Sequence, residues 1–383
     1  MVERDLNIAK KIKKGKTLIL EGPRRVGKTT LIINMLNSMQ NKRILTFDGG
    51  DLECKEIFSD NSISKMKRFI GNCDILFIDE AQEIKNIGKS LKLINDHLPQ
   101  IAVIATGSSS FELNNQIGEP LVGRSRSYFL YPFSVNELLK DYASPALKWR
   151  EIRNNLLIYG MYPDSVIAND NHERESFLRD MVKNLLLKDI LAYQEIKSSQ
   201  FLLKILVMLA YQIGKEVSIE ELGNNLSVSK NTVSRYLDLL EKAYIIFRLG
   251  GFSRNLRNEI TKKPRFYFYD VGIRNAIINN FNMAELRGDL GEIWENFAIV
   301  ERMKFCSNNS LDFNRYFWRT YEQNEIDLIE ERNGKLHAFE MKYNPEKSKK
   351  TKLPAEWIKG YGTTEFLSVD CENLLDVVMK KNK

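Results

Sequence analysis

The chain has 383 residues, and its 57 Lys and Arg against 50 Asp and Glu give a formal net charge of +7. With 43% hydrophobic and 28% charged residues, it is not a disordered chain, and its length indicates about two or three domains. Its 4 cysteines, none in CxxC spacing, exclude a disulfide scaffold and a zinc-site pattern. The basic N-terminus lacks an apolar core, and the most apolar stretch, 201–214, contains Lys204. We therefore expect no signal peptide, no membrane span and a cytoplasmic location.

Short apolar runs alternate with amphipathic patterns in the first third of the chain. Strands are predicted at 16–22, 42–47, 73–81, 101–107 and 127–133, and helices at 29–40 and 87–98. Nearly continuous apolar runs are typical of parallel strands buried on both faces. The pattern predicts an α/β fold with a parallel sheet, followed by helices from about residue 135 and by mixed strands and helices from 264.

Residues 22–29 read GPRRVGKT, a match to GxxxxGK[ST] placed after a strand and at the start of a helix. Glycines permit the tight turn in which backbone N–H groups converge on phosphate. Lys28 is expected to reach the β- and γ-phosphates of ATP, and Thr29 to ligate Mg²⁺. The alternative is a chance match in a loop. The predicted nucleotide-binding residues here are Gly22, Pro23, Arg24, Arg25, Val26, Gly27, Lys28, Thr29 and Thr30.

Two further strand ends carry polar groups suited to ATP hydrolysis. The strand DILFIDEAQ ends in Asp79, predicted to hold the Mg²⁺ shell, and Glu80, predicted to polarise an attacking water. An ordinary strand followed by an acidic helix cap is the alternative. The strand IAVIATGSSS ends in Thr106, Ser108 and Ser109, which could sense the γ-phosphate, with Ser108 assigned to the nucleotide site.

An arginine pair lies in GRSR (123–126), placed by the prediction just before the fifth strand. Arg124 or Arg126, presented to the γ-phosphate of a neighbouring subunit, would stabilise transition-state charge and imply a homo-oligomer. The alternative is an arginine that is solvated or pairs within its own subunit.

The segments GPRRVGKTT, FIDEAQEI, ATGSSS, GRSRSYFLYPFSVNELL and YGMYP resemble a group of archaeal and bacterial AAA-type ATPases related to the STAND and archaeal-ATPase clades. The resemblance covers almost the whole chain. It implies a P-loop ATPase followed by a winged helix and a nuclease-like domain, with the arginine before the fifth strand acting in trans. No lid arginine matches a second sensor clearly, although Arg153, Arg174 and Arg179 lie in range.

Residues 217–246 have the pattern of a helix-turn-helix. Ser218 with Glu221 predicts the start of one helix, and Ser229 can cap a second helix with apolar residues at i, i+3, i+4 and i+7. A strand-like run and a basic segment follow, as expected of a wing. Segment 198–265 carries eleven Lys and Arg against six Asp and Glu, which favours a DNA-phosphate partner. A structural or protein-contact role is the alternative. The predicted DNA contacts are Lys230, Asn231, Thr232, Arg235, Arg254 and Arg257.

A second acidic set lies near the C-terminus. If the strands around Asp327 and Glu340 form a hairpin, the two carboxylates can converge on Mg²⁺ or Mn²⁺, and Lys342 lies on the face of Glu340. This set looks like the PD-(D/E)XK nuclease core, and matching its helix pattern makes Glu295 the preferred further acid, with Glu292 in reserve. No clear PD dipeptide or downstream helix Gln is present.

These motifs predict four segments: an AAA-type core over 1–142, a helical lid over 143–197, a winged helix over 198–265 and a nuclease-like domain over 266–383. The first hypothesis is an oligomeric ATPase that acts on DNA and cuts it with a metal-dependent C-terminal site. The second is an ATP-gated switch that binds DNA or protein, with a silent nuclease-like scaffold. A small-molecule kinase would leave the winged helix and the second acidic set unexplained.

Overall fold

The computed structural model describes residues 2–107, 121–184, 199–254 and 263–379. The chain divides into two units, which are treated separately below. The N-terminal unit contains Glu3–Pro132 and Lys242–Tyr244. The C-terminal unit contains Met1–Val2, Phe133–Glu241 and Ile245–Lys383. No helix among the described residues is long and apolar enough to cross a membrane.

A parallel sheet with the strand order β2-β3-β4-β1-β5 forms the centre of the N-terminal unit. Its strands are β1 (Thr17–Glu21), β2 (Ile44–Asp48), β3 (Ile75–Asp79), β4 (Ala102–Gly107) and β5 (Ser125–Phe129). β1, β3 and β4 are buried almost throughout, as their apolar sequences require. Because all strands run in one direction, the residues that follow β1, β3 and β4 meet at one edge of the sheet.

The fifth strand begins earlier than the apolar run 127–133 predicts. Ser125 pairs with Thr17 and Phe129 with Glu21, so the backbone register against β1 sets its limits. β5 is an edge strand with exposed positions, which explains why apolar content alone misplaces it. Arg124 therefore precedes the strand, whereas Arg126 lies within it rather than before it.

Helices of the N-terminal unit flank this sheet. They are α1 (Lys28–Asn37), α2 (Leu52–Ser59), α3 (Ile63–Ile70) and α4 (Ile87–His97). Asp51 caps α2 by accepting from the Glu53 amide, and Ser62 caps α3 by accepting from the Lys65 amide. The apolar faces of α2, α3 and α4 pack with β3 and β4 in one buried cluster.

The C-terminal unit begins with a short helix from the end of the predicted AAA-type core, followed by helices of the predicted lid. They are α5 (Val135–Leu139), α6 (Pro145–Tyr159), α7 (Pro163–Ile167) and α8 (Asn171–Asn184). Ser134 and Glu137 form a capping box at the start of α5, which satisfies two backbone amides there.

Three helices and an antiparallel strand pair follow, in the order expected of a winged helix. These elements are α9 (Ser199–Tyr211), α10 (Ile219–Leu226), α11 (Lys230–Lys242), β6 (Ile246–Gly251) and β7 (Arg265–Phe268). Ser218 accepts from the Glu221 amide at the start of α10, and Ser229 from the Thr232 amide at the start of α11. Next come α12 (Val271–Ile277) and the long α13 (Leu290–Asn308).

The last part of the chain completes a six-stranded sheet with the order β11-β10-β9-β8-β6-β7. It adds β8 (Asn314–Arg319), β9 (Glu325–Arg332), β10 (Lys335–Met341), β11 (Glu365–Val369), α14 (Pro345–Lys350), α15 (Ala355–Tyr361) and α16 (Leu375–Val378). β9 and β10 pair antiparallel, so the strands around Asp327 and Glu340 form a hairpin. β6 pairs with β7 on one side and, through Gly250 and Gly251, with β8 on the other. The segment predicted as a winged helix and the C-terminal segment thus share one sheet, and the predicted boundary at 265/266 falls within β7.

Candidate functional sites

The loop between β1 and α1 has the backbone that its glycines allow. Gly27, just before α1, has a φ of 89°, in the left-handed region that favours glycine. At Gly22 a Cβ atom would overlap the Leu130 carbonyl oxygen, so no larger residue fits there without a shift. Just before this loop, the Glu21 carboxylate accepts a 2.7 Å hydrogen bond from the Tyr244 hydroxyl.

Lys28 lies at the first position of α1 with its amine held across the loop. Its Nζ donates to the carbonyl oxygens of Gly22 at 3.0 Å and Pro23 at 2.9 Å, and the residue is only 5% exposed. The ammonium group is therefore fixed beside the turn where backbone amides favour a phosphate.

Asp79, at the end of β3, is held between two hydroxyl groups. Thr29 Oγ1 donates to Asp79 Oδ2 at 2.8 Å, and the Thr106 hydroxyl donates to Oδ1. Thr106 also accepts from the Glu80 amide at 3.0 Å. A hydroxyl and a carboxylate side by side are oxygen ligands of the kind that Mg²⁺ prefers, so these residues fit an Mg²⁺–nucleotide complex.

Glu80 follows in a left-handed conformation with a φ of 45°. Its carboxylate accepts from the Gln82 side chain, and its half-buried position is next to Asp79. Ser108 and Ser109 lie outside the described residues. Thr106, noted in the sequence only as one of several possible sensors, is the residue that orients both acidic positions.

The two candidate arginines differ in their surroundings. Arg124 Nε pairs with Asp96 at 2.6 Å within the N-terminal unit, which is the intrasubunit alternative that the sequence left open. Arg126 is exposed on β5 and forms no ion pair with another described residue. The lid arginines Arg153, Arg174 and Arg179 all hydrogen-bond within the C-terminal unit.

In the segment predicted as a winged helix, some of the predicted DNA-contacting side chains are exposed, and others contact residues of the protein. Asn231 and Arg235 are exposed on α11, and Thr232 is half-buried beside Ser229. Lys230 pairs with Glu220 at 2.9 Å. Arg254 stacks on the ring of Tyr361, and Arg257 lies outside the described residues.

The basic excess predicted from the composition of 198–265 is partly internal. Arg248 pairs with Glu241 at 2.9 Å and with Asp238 at 3.3 Å, both on α11. Arg265 is only 2% exposed. These two cations therefore offset acids of the protein rather than face a partner, a feature that counting charges cannot reveal.

The predicted nuclease-like residues come together at the β9–β10 hairpin. Lys342 Nζ lies 2.6 Å from Glu340 Oε1 and 3.9 Å from Asp327 Oδ2. The Asp327 carboxylate is buried and accepts from the Met341 amide at 2.8 Å. Glu295, on α13, accepts from the Tyr267 hydroxyl at 2.6 Å, whereas Glu292 is half-buried in the same helix.

Arg265 joins these acids. Its guanidinium lies 2.6 Å from Glu325, 3.4 Å from Glu295 and 3.6 Å from Asp327, measured between the nearest charged atoms. It also faces the ring of Phe317, with 4.5 Å to the ring centre. Burial lowers the pKa of Arg265. The nearby Tyr267 and carboxylates raise this pKa by more, so the net shift is upward.

The carboxyl groups of this site are strongly perturbed. Burial raises the pKa of Asp327, and burial with the nearby Asp327 charge raises the pKa of Glu295 well above its usual range. Burial and Asp327 raise the pKa of Glu340 to about 7. Among the described residues, no three His, Cys, Asp or Glu side chains are placed to hold a metal ion. Because a guanidinium stands between the acids, these residues do not fit the predicted Mg²⁺ or Mn²⁺.

Sequence reasoning missed Arg265, Tyr267 and Glu325. All three lie outside the D…ExK pattern, and Arg265 is separated from its partners by 30 residues or more in the chain. The signal that was available is the run RFYF, in which one cation adjoins three aromatic residues of a buried strand.

Comparison with known proteins agrees with the P-loop geometry. Residues 14–139 match the family described as AAA domain. Residues 150–284 and 290–365 match two families described as domains of unknown function, DUF8612 and DUF4143. The N-terminal segment is thus an AAA-type P-loop ATPase domain, a kind of domain that binds nucleotide.

Two uncharacterized proteins are similar over most of this chain. An uncharacterized protein of Mycobacterium tuberculosis is 27% identical over 328 residues, covering 85% of this chain and 70% of its own. An uncharacterized protein of Methanocaldococcus jannaschii is 25% identical over 351 residues, covering 86% and 75%.

Two solved structures are also similar in part. AMPPCP-bound DnaA from Aquifex aeolicus has 13% identity and a TM-score of 0.29, covering 59% of this chain and 82% of its own. Drosophila ORC bound to DNA has 12% identity and a TM-score of 0.24, covering 70% and 90%. At such TM-scores the likeness carries no argument about this chain.

Proposed function

We propose that the chain is an ATP-gated switch that acts on DNA through its winged-helix segment, with the C-terminal sheet as a scaffold rather than a nuclease. The observation that carries this proposal is the Asp79 carboxylate fixed by Thr29 and Thr106, together with the Lys28 amine held at the loop before α1. These residues support a nucleotide site, whereas in the second acidic set Arg265 contacts Glu325 and Asp327. The first hypothesis from the sequence, an active nuclease, is therefore the less supported of the two.

Each residue of the first site has a separable role. Lys28 and the loop amides bind the phosphates, and Thr29 and Asp79 hold Mg²⁺, which when bound offsets the negative charge of the phosphates. Glu80 is placed to orient a water molecule and accept its proton. Thr106 positions Asp79 and the Glu80 backbone. Arg126, exposed on β5, is the better candidate for an arginine acting on a neighbouring subunit of a homo-oligomer.

DNA contact is supported by the exposed polar side chains of α11. Asn231 and Arg235 are side-chain types that reach base edges and phosphates. A protein partner is the second candidate, because Lys230 and Arg248 are already paired with acids of the same segment.

One experiment tests the proposal. ATP hydrolysis is measured with single-stranded, duplex and branched DNA, and the same samples are run on gels for cleavage in Mg²⁺ and in Mn²⁺. We expect one DNA form to stimulate ATP hydrolysis. The Lys28→Ala variant should bind DNA without hydrolysing ATP. Neither the wild type nor Asp327→Ala should cleave DNA. Cleavage by the wild type that Asp327→Ala abolishes would contradict the scaffold role. Absence of DNA binding would point to the protein partner.

Arg235→Ala then tests the contact surface. We expect roughly tenfold weaker DNA binding, because one charged contact is lost. Lys204→Ala, which removes an exposed cation from α9 instead, is the matched control and should leave affinity unchanged. Equal losses in both variants would indicate general charge attraction rather than docking of α11.

A further inference from the structure

We infer that the carboxylates Glu295, Glu325, Asp327 and Glu340, here called the C-terminal acid cluster, form a latent divalent-cation site whose place is held by the Arg265 guanidinium. The inference gives a reason for the scaffold part of the proposed function and is independent of its ATPase and DNA-binding parts.

Arg265 contacts three of the four carboxylates of the cluster. Glu295 comes from α13, and Glu325 and Asp327 lie two residues apart on β9, hence on one face of the strand. One guanidinium lies within 3.6 Å of all three carboxylates. A planar cation with several donors can bridge acids in this way, whereas an ammonium group pairs with fewer at once.

The charge of the cluster is already offset inside the protein. Arg265 and Lys342 supply two cations against four carboxylates. Arg319, whose guanidinium lies 3.8 Å from Glu325, adds a third cation at the edge of the cluster. Glu340 Oε2 is buried without a hydrogen-bond partner, which leaves one oxygen available to a ligand.

A cavity of about 680 Å³ adjoins the cluster, lined among others by Arg265, Glu295, Glu325 and Lys342. Glu295 and Glu325 can therefore be reached from solution. The lining carries six basic and four acidic side chains, which disfavours entry of a divalent cation while Arg265 is present.

Replacing Arg265 by Met should expose the latent site. The Met side chain keeps an apolar stem against Phe317 but leaves the carboxylates without their shared cation. Buried charges without a partner are costly, so the variant should be less stable until another cation enters. Carboxylate oxygens are the ligands that Mg²⁺ and Mn²⁺ take.

The test uses the full chain with Thr29→Ala and Asp79→Asn, which together remove the oxygen ligands of the ATP site. Mn²⁺ alone is titrated, and the free ion is followed by electron paramagnetic resonance. We expect no binding by this background tighter than roughly 10⁻⁴ M, and at least tenfold tighter binding of one Mn²⁺ when Arg265→Met is added. Adding Asp327→Asn as well should abolish the gain.

Arg319→Met is the matched control. Arg319 also lies near Glu325, at 3.8 Å, but it is more exposed and forms no ion pair with Asp327 among the described contacts. It should confer no Mn²⁺ binding. As a second readout, Mn²⁺ should raise the melting temperature of Arg265→Met but not of the background. If Arg265→Met does not fold, Arg265→Lys, whose ammonium cannot bridge three acids, should show the same gain in weaker form.

Two results would overturn the inference. One is Mn²⁺ binding by the background that Asp327→Asn removes, since the site would then be open with Arg265 in place. The other is a folded Arg265→Met or Arg265→Lys variant that binds no Mn²⁺. Neither result alters the ATPase or DNA-binding expectations, which are measured with an intact ATP site.

Discussion

Asp79 and Asp327 are both aspartates on buried strands, but their neighbours give them different chemistry. The Asp79 oxygens accept from the hydroxyl groups of Thr29 and Thr106, which are neutral donors. The Asp327 oxygens face Lys342 and Arg265, which are cations. The charge of Asp79 therefore remains available to an incoming cation, whereas that of Asp327 is offset within the chain. An acidic motif predicts where a carboxylate lies, and its partners decide whether a metal can bind there.

The largest effect should come from matched substitutions of the two aspartates. Asp79→Asn should lower the rate of ATP hydrolysis by roughly a thousandfold, because the carboxylate that holds Mg²⁺ is lost. Asp327→Asn should leave that rate unchanged. Steady-state phosphate release measures both. An equal loss of ATP hydrolysis in the two variants would show that the sites of Asp79 and Asp327 are energetically linked. It would contradict the difference between them that is argued above.

The source of the cation provides a second contrast, since the C-terminal acid cluster has its own arginine whereas the ATP site would receive one from a neighbour. Arg126→Ala should lower ATPase by roughly a hundredfold, because transition-state charge loses a stabilising partner. Arg124→Ala, which loses the pair with Asp96, should have the smaller effect.

Mixing variants separates action in trans from action within one chain. Arg126→Ala keeps an intact phosphate loop, and Lys28→Ala keeps an intact Arg126. If Arg126 acts on the neighbouring subunit, a mixture of the two should recover part of the activity that each alone lacks. No recovery, with assembly verified by light scattering, would contradict a trans-acting Arg126.

The smallest effect concerns pH. The pKa of Glu340 is raised to about 7 in the folded chain, above its value in an unfolded one. The folded state thus binds more protons between these values, so stability falls as pH rises toward 7. From pH 5 to pH 8 the free energy of unfolding of the wild type should fall by on the order of 1–3 kcal/mol more than that of Glu340→Gln.

Thermal melts over this pH range check the prediction, with Glu356→Gln, at an exposed position of α15, as the control. A wild type that follows the same pH profile as Glu340→Gln would show that this carboxyl group does not titrate in the expected window.

The ATP site was predictable because its information is local. The loop, Lys28 and Thr29 are contiguous, and Asp79 ends an apolar strand whose carboxyl end must share an edge with that of β1. The position of β5 was not predictable from sequence, because β5 begins at Ser125 only through the pairing of Ser125 with Thr17 of β1. The role of Arg265 was not predictable either. In the sequence it lies in a basic segment predicted as a wing, and only the tertiary fold brings it to Glu295 and Glu325.

The position of β6 between β7 and β8 has a consequence for dissecting the protein. Because β6 is hydrogen-bonded to both β7 and β8, a cut at 265/266 would divide a continuous sheet and leave unpaired strand edges on both fragments. Such edges promote aggregation. The winged-helix segment and the C-terminal strands should therefore unfold as one cooperative block, and neither is expected to behave as a soluble, independently folding fragment.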